Sequence, residues 1–135
     1  MEPTHTTDPR LYIVMREDLW DMNPGKGMAQ AAHAQADFHG HLFPGDIPDY
    51  HQFLEAVQKW REARNFGITL VLHEPLSVME EIHMKMPHSG MTVDPTYPYR
   101  NHYGEVFVRE EITCMWVFVY TDEEVDYMKQ FNLHQ

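Results

Sequence analysis

The chain has 135 residues, a length typical of one domain, and its 43% hydrophobic and 13% aromatic residues can fill a packed core. It carries 21 acidic and 10 basic side chains, a formal charge of −11, so any nucleic-acid site must be a local patch on a repelling surface. Its single cysteine, Cys114, excludes an internal disulfide. The sequence contains neither an apolar span of about 20 residues nor a basic leader, and it therefore predicts a soluble, cytoplasmic protein without membrane contact.

The first predicted elements follow a flexible polar tail at residues 1–10. Residues 11–16 (LYIVMR) form an apolar run rich in β-formers, which is typical of a strand covered on both faces. Pro24 and Gly25 open a helix, because proline is tolerated in the first turn, where its missing N–H costs nothing. The pattern predicts that this helix ends near His39.

A second helix is predicted after a connection rich in glycine and proline at residues 40–49. Asp49 is placed to cap this helix, and Gln52 stands at the capping-box position. The helix has an apolar stripe at helical spacing, formed by Phe53, Leu54, Val57 and Trp60. Gly67 is predicted to end it.

The second half of the chain continues the alternation of strands and helices. Residues 68–73 (ITLVLH) predict a second buried strand, and residues 76–86 predict a helix. A short strand is predicted at residues 91–93. Residues 113–120 (TCMWVFVY), the most hydrophobic run, predict a central strand, which leads into a short helix that Thr121 can cap. The alternation indicates an α/β protein with a small mixed sheet.

One row of the first predicted helix is polar. At 100° per residue, its members fall within about 60° of one another; they are Lys26, Gln30, His33 and Asp37. Lys26 lies in the first turn, where the helix dipole disfavours a cation, so the lysine is suited to meet an anion or to take part in proton transfer. The alternative is an exposed lysine in a glycine turn.

Residues 12–19 (YIVMREDL) and 25–34 (GKGMAQAAHA) resemble the type 2 peptidyl-tRNA hydrolases. The signature of that family is an apolar strand ending in Arg and Asp-Leu, followed by G-K-x-A-A-Q-x-x-H-A. The residues that match in register are Gly25, Lys26, Ala29, Gln30, His33 and Ala34, while Met28 replaces the first alanine.

The resemblance implies a three-layer αβα sandwich around a small mixed four-stranded β-sheet, over residues 11–135 and frequently dimeric. It implies hydrolysis of the ester between a peptide and the terminal ribose of tRNA, without metal or other cofactor. Lys26 would be the catalytic or phosphate-contacting lysine, and Gly25, Gln30 and His33 would bind substrate along the same edge. Alternatively, His33 has a structural role and donates a hydrogen bond to a backbone carbonyl.

The family also carries a D-x-G-x-T loop, for which this sequence offers two alternative placements. In the first placement, Asp94 in VDPTYP matches the aspartate of the family loop, and Thr96, two residues later, is a further substrate-binding candidate. This placement makes Asp94 the catalytic carboxylate that orients water, in an enlarged loop; an Asx turn before Pro95 is the alternative role. Counting back without gaps from Thr113 lands instead on Asn101, which is then a substrate-binding candidate at a site without the carboxylate.

A tRNA acceptor end needs a basic footprint, and the sequence offers two small clusters. They are Lys59, Arg61 and Arg64 on the second helix, and Arg16, Lys26 and Arg100 if these converge. Such patches predict weak, strongly salt-dependent binding.

Two other functions stay open at this point. The first is a catalytically inactive protein with the hydrolase fold, whose acidic surface binds a protein partner. The second is a metal-binding protein, since histidine and methionine suit copper(I). Its two candidate clusters are His33, His39 and His41, and His83, Met84, Met86, His88 and Met91.

Overall fold

The computed structural model describes residues 5–19, 22–42, 48–63 and 67–131. Its elements are β1 His5–Arg16, α1 Pro24–Gly40, α2 Tyr50–Glu62, β2 Ile68–Glu74, α3 Leu76–Lys85, β3 Ser89–Arg100, β4 Val106–Thr121 and α4 Asp122–Met128. β1 begins inside the segment for which a tail is predicted. Residues 1–4 of that tail, residues 43–47 of the predicted connection and Arg64 lie outside the described residues.

The four strands form one mixed sheet in the order β2-β1-β4-β3. β1 is parallel to β2, and β4 is antiparallel to both of its neighbours. β4 is central, as its hydrophobic run predicts, and its residues from Thr113 onward are buried. The second strand is found where it is predicted, but its predicted burial is wrong, because β2 lies at an edge of the sheet and only Leu72 is buried among its residues.

Helices cover both faces of the sheet, which confirms the three-layer αβα sandwich. α1 and α2 pack on one face, where the Phe38 ring lies between 5.4 and 5.8 Å from the rings of Trp60, Trp116 and Phe118. α3 and α4 pack on the other face, with Met79, Ile82, Val125 and Met128 buried there. Among the helices of the described ranges, none combines the length and apolar run that a membrane span requires.

β3 and β4 form a long antiparallel hairpin that continues past the end of β1. Residues 106–112 of β4 pair with β3, whereas the pairing of β1 with β4 extends only as far as Met15 opposite Cys114. β3 is much longer than the predicted strand at residues 91–93 because it is an edge strand. An edge strand tolerates Pro95 and Pro98, whose missing N–H groups are not needed by a further neighbour.

Gly67 has a different role from the predicted helix end, since α2 already ends at Glu62. Gly67 adopts a φ of 73° just before β2. A Cβ atom at this position would overlap the backbone oxygen and the indole ring of Trp60. Glycine is therefore required both by the left-handed backbone and by this close approach.

Asp49 occupies the N-cap position of α2, but the predicted side-chain cap is wrong. Its carboxylate instead accepts hydrogen bonds from Nε2 of His88 at 2.8 Å and from the hydroxyl of Tyr120. His88 is 2% exposed, and its ring stacks on Phe53 with centroids 4.0 Å apart. Asp49 thus joins the start of α2 to β4 and to the segment before β3. Thr121, by contrast, caps α4 in a complete capping box, as predicted.

This buried contact gives an acid dependence of stability with a defined sign. Burial alone would raise the pKa of Asp49, but the hydrogen bonds from His88 and Tyr120 outweigh it and hold the pKa below its usual value. A carboxyl whose pKa is lowered by folding stabilises the native state fully above its unfolded-state pKa of about 3.9. That stabilisation is lost as the pH falls through the lower, folded-state pKa.

We expect Asp49→Asn to lower the free energy of unfolding at neutral pH by about 1–3 kcal/mol, because buried His88 loses its charged acceptor. The variant should also lose part of the wild-type acid dependence. Urea unfolding from neutral pH down to about pH 3 spans the carboxyl range and measures both effects. Glu55→Gln, which changes an exposed carboxylate on the same helix, should behave like wild type. Identical acid profiles for Asp49→Asn and wild type would contradict this account.

Candidate functional site

The first turn of α1 directs Lys26 toward β3. Asn23 is the N-cap residue, and its side chain accepts the N–H of Lys26 at 2.9 Å. Pro24 takes the first helical position, which needs no N–H. The Nζ atom of Lys26 lies 3.4 Å from the carbonyl oxygen of Pro98 and 5.3 Å from the centre of the Tyr97 ring. Both contacts lie on β3 and hold the amine against that strand.

Gln30, one turn further along α1, connects the helix to two strands. It is 4% exposed, and its Nε2 donates to Oδ2 of Asp94 at 2.7 Å. Its Oε1 accepts the hydroxyl of Thr113 at 2.6 Å. The other oxygen of Asp94 accepts the N–H of Thr96 at 2.9 Å, so the Asx turn offered as an alternative is also present. The carboxylate is held in one orientation by both sets of bonds.

An irregularity in β4 brings Thr113 to this network. Cys114 lies opposite Thr92, and the next pair along the two strands skips Thr113, which is therefore an extra residue in a β-bulge. The Cys114 thiol donates to the backbone oxygen of Gln30 at 3.0 Å, so both residues of the bulge contact α1. Burial raises the pKa of this thiol to about 11 and keeps it a protonated donor.

Lys26, Gln30, Asp94 and Thr96 line one boundary between α1 and β3, which we call the α1–β3 seam. Lys26 and the residue that holds Asp94 are four positions apart on the helix, or about 6 Å along its axis. Gly25 is exposed at the start of the seam, and an added Cβ there would come no closer than 3.5 Å to Asn23. The structure thus places the amine and the carboxylate that the sequence singles out along the same boundary, each through its own contacts.

Two candidate residues lie elsewhere. Asn101 lies in the turn between β3 and β4, where its side-chain oxygen accepts the N–H groups of Tyr103 at 2.9 Å and Glu105 at 3.0 Å. If the family's D-x-G-x-T loop is aligned without gaps, its aspartate position falls on Asn101 in the hairpin turn. In the other alignment it falls on Asp94, whose side chain contacts α1. His33 is exposed on α1.

Sequence reasoning used Thr113 to align the last strand and missed its contact with the seam. The available signal was a threonine at the start of the most hydrophobic strand, a position where an aliphatic residue would otherwise continue the run. The bulge that directs Thr113 toward Gln30 depends on pairing with β3, and local sequence does not reveal it.

The predicted basic clusters are only partly available to a ligand. Nε of Arg16 lies 2.9 Å from Asp18, and Nη1 lies 3.0 Å from Glu111, so its charge is neutralised by two carboxylates. Arg100 donates to the carbonyl oxygen of Gly104 in the hairpin turn. Arg61 lies on α2 and contacts His39.

The histidines and methionines of the proposed metal clusters take part in separate contacts. His39 lies 3.2 Å from Gln35, and His83 lies 2.8 Å from Ser89. Met86 is buried in the core between the sheet and α3. Within the described ranges, no group of three or more His, Cys, Asp or Glu side chains is arranged to hold a metal ion.

Comparison with known families identifies the family to which this chain belongs. A family model described as "Peptidyl-tRNA hydrolase PTH2" matches residues 10–132. No curated protein matches the chain. The family match covers most of the sequence and includes both sides of the α1–β3 seam, and the chain therefore belongs to the type 2 peptidyl-tRNA hydrolase family.

Proposed function

We propose that this protein hydrolyses the ester between a peptide and the 3′-terminal ribose of tRNA, with Lys26 and Asp94 as its catalytic residues. The observation that carries the proposal is the α1–β3 seam. There Gln30 donates to the carboxylate of Asp94 at 2.7 Å, and Lys26, one turn earlier on the same helix, directs its amine to the same strand. Both residues fall within the segment that matches the family model.

The chemistry requires little from the protein because an acyl ester is already activated. Water adds to the carbonyl carbon and loses a proton, and the carbonyl oxygen becomes an oxyanion. Collapse of this intermediate breaks the bond to the ribose oxygen, which leaves with a proton as a hydroxyl. An enzyme therefore needs a positioned water with a proton acceptor, and a cation or donor for the oxyanion.

Asp94 is suited to accept the proton from water. Its two oxygens offer about four lone-pair sites. Gln30 occupies one of them, and the N–H and the hydroxyl of Thr96 occupy two more. The remaining capacity is available to a water molecule whose position the fixed carboxylate determines. A carboxylate only accepts, so Asp94 selects the donor side of the Gln30 amide, and the buried hydrogen bond from Thr113 holds the other end of that amide in place. Gln30 and Thr113 thus act as positioning residues.

Lys26 is suited to stabilise the oxyanion. Its backbone N–H is already bound by Asn23, so the side-chain amine is the group that this residue presents to a substrate. The amine keeps its position through the Tyr97 ring and the Pro98 carbonyl, both of which lie on β3. Gly25 and Thr96 would contact the substrate at the two ends of the seam. His33 would contribute only if the substrate extends over the exposed side of α1.

The tRNA acceptor end is the proposed partner, and the part of its binding that comes from contacts between local cations and phosphates should weaken with salt. A cytoplasmic location is also proposed, because the proposed substrate, peptidyl-tRNA, arises where translation occurs. The homodimer that the family resemblance implies stays a prediction.

The test is turnover of tRNA carrying an N-acetylated amino acid, measured as release of the labelled acyl amino acid by the purified full chain. We expect saturable hydrolysis that declines between about 50 and 200 mM salt, as phosphate contacts weaken. A Lys26→Ala preparation purified in parallel controls for a contaminating hydrolase. Absence of turnover at low salt with intact folding would contradict the proposal and favour the catalytically inactive acidic binding protein.

A further inference from the structure

The end of the β3–β4 hairpin carries a row of aromatic rings that leads to Lys26. The Phe107 ring is stacked on Tyr99 with centroids 5.5 Å apart and planes 16° from parallel. Tyr99 meets Tyr97 edge to face at 5.2 Å, and Nζ of Lys26 lies 5.3 Å from the centre of Tyr97. We call Phe107, Tyr99 and Tyr97 the aromatic row.

The inner part of the aromatic row is fixed, and its outer end is open. Tyr97 and Tyr99 are 0% and 6% exposed and pack against Leu19 and Met22. Phe107 is 45% exposed, although it belongs to a residue type that normally buries its ring. An exposed ring backed by buried rings presents a rigid apolar surface at little conformational cost.

A cation accompanies the row. The guanidinium carbon of Arg109 lies 4.2 Å from the centre of the Tyr99 ring, and the side chain is 59% exposed. Its Nε donates to Glu111 at 2.9 Å, which fixes the guanidinium plane over the ring. Glu111 also pairs with Arg16, so this carboxylate is shared between two cations and its charge near the row is compensated.

We propose that the aromatic row and Arg109 bind the unpaired 3′-terminal nucleotides of the RNA substrate, with a base stacked on Phe107 and a phosphate near Arg109. The proposal rests on the hydrolase function above and adds the surface that holds the RNA strand beside the seam. Aromatic rings with cations beside them are the features that bind single-stranded nucleic acid.

Stacking also resolves the conflict between an RNA substrate and an acidic chain. Phosphate contacts need cations, and here Arg16 is already neutralised by carboxylates. Stacking on an aromatic ring needs no charge and contributes substantially for each base. A protein with a formal charge of −11 can therefore hold a short unpaired strand through a ring and one or two cations.

The first experiment measures binding without chemistry. Fluorescence anisotropy of a labelled single-stranded RNA hexamer ending in CCA gives a Kd for wild type and variants, because this probe contains no ester. We expect Phe107→Ala and Phe107→Leu to raise the Kd by about 5- to 100-fold, since either change removes the stacking face. Phe107→Trp should bind at least as tightly as wild type. Val108→Ala removes an apolar side chain that is even more exposed than Phe107 from the next position and should leave the Kd unchanged.

The salt dependence separates the two components of the site. Phe107→Ala should leave the slope of log Kd against log salt unchanged, because stacking releases no counterions. Arg109→Ala should reduce that slope by about one. In turnover of acylated tRNA, Phe107→Ala should raise KM by a similar factor and change kcat by less than about two-fold.

Two results would overturn the proposal: wild-type binding by Phe107→Leu, or a change in molar mass on light scattering for Phe107→Ala with RNA binding intact. The second result would identify the ring as a contact between protein chains. Hexamer binding that depends on Phe107 supports the aromatic row even where acylated tRNA is not cleaved. Turnover that is insensitive to Phe107 rejects the row and leaves the proposed hydrolase function standing.

Discussion

Asp94→Asn should lower kcat for peptidyl-tRNA hydrolysis by about 10²- to 10⁴-fold, the usual contribution of a positioned general base. An amide oxygen is a much weaker proton acceptor than a carboxylate, so water would no longer be activated. KM should change little, because the carboxylate acts on water rather than on a substrate group bound in the ground state.

The fold should tolerate this substitution, which makes the loss of activity interpretable. Asparagine has the shape of aspartate, and its side-chain oxygen can still accept the N–H of Thr96. Its NH2 group would face Nε2 of Gln30, so the Gln30 amide must flip and present its oxygen instead. Thr113 accommodates the flip because a hydroxyl both donates and accepts.

The measurement is the initial rate of acyl release at saturating acylated tRNA, with thermal unfolding of each variant as the folding control. Asp37→Asn is the matched control, since it removes an exposed carboxylate from α1 and leaves the seam unchanged. It should retain the wild-type kcat. Asp94→Asn with a kcat within about three-fold of wild type would exclude the general-base role.

Local sequence signals predicted the elements whose boundaries depend on nearby residues. The start of α1 is determined by Pro24 and the Asn23 cap, and the start of α4 by the Thr121 capping box, all within four residues of the boundary. β4 was recognisable as central because a buried strand must be apolar on both faces. These features need no knowledge of the rest of the chain.

The errors arose where distant residues decide the outcome. Asp49 looks like a helix cap, but Tyr120 lies 71 positions away in sequence and takes its carboxylate. The length of β3 depends on its position at the edge of the sheet, which no local pattern encodes. The edge position of β2 likewise depends on the order of the strands.

The residues of the candidate site also fall into those that local sequence predicts and those that depend on distant residues. Lys26 and Gln30 follow from helical spacing, whereas Asp94 and Asn101 could not be distinguished by counting. The count back from Thr113 without gaps ends at Asn101 in the hairpin turn, whereas Asp94 lies farther back along the chain, on β3. Only the pairing of the strands reveals that Asp94 faces α1 while Asn101 turns the chain.

Lys26→Ala should lower kcat/KM for acylated tRNA by about 10²- to 10³-fold, the loss typical of removing one oxyanion donor. Lys85→Ala is a close control, because Nζ of Lys85 also lies 5.3 Å from a tyrosine ring, that of Tyr127, but on α3. It removes the same charge and the same type of contact from the opposite side of the sheet. We expect Lys85→Ala to keep wild-type kinetics.

The kinetic constant that changes will distinguish the two roles that remain for Lys26. An amine that stabilises the oxyanion acts only in the transition state, so its loss lowers kcat and leaves KM and the salt slope unchanged. An amine that contacts a phosphate acts in the ground state, so its loss raises KM and reduces the salt slope by about one. We expect the first result, because Pro98 and Tyr97 hold the amine toward β3, the strand that carries Asp94. A variant with unchanged kcat and raised KM would assign Lys26 to RNA binding and leave the oxyanion to another donor.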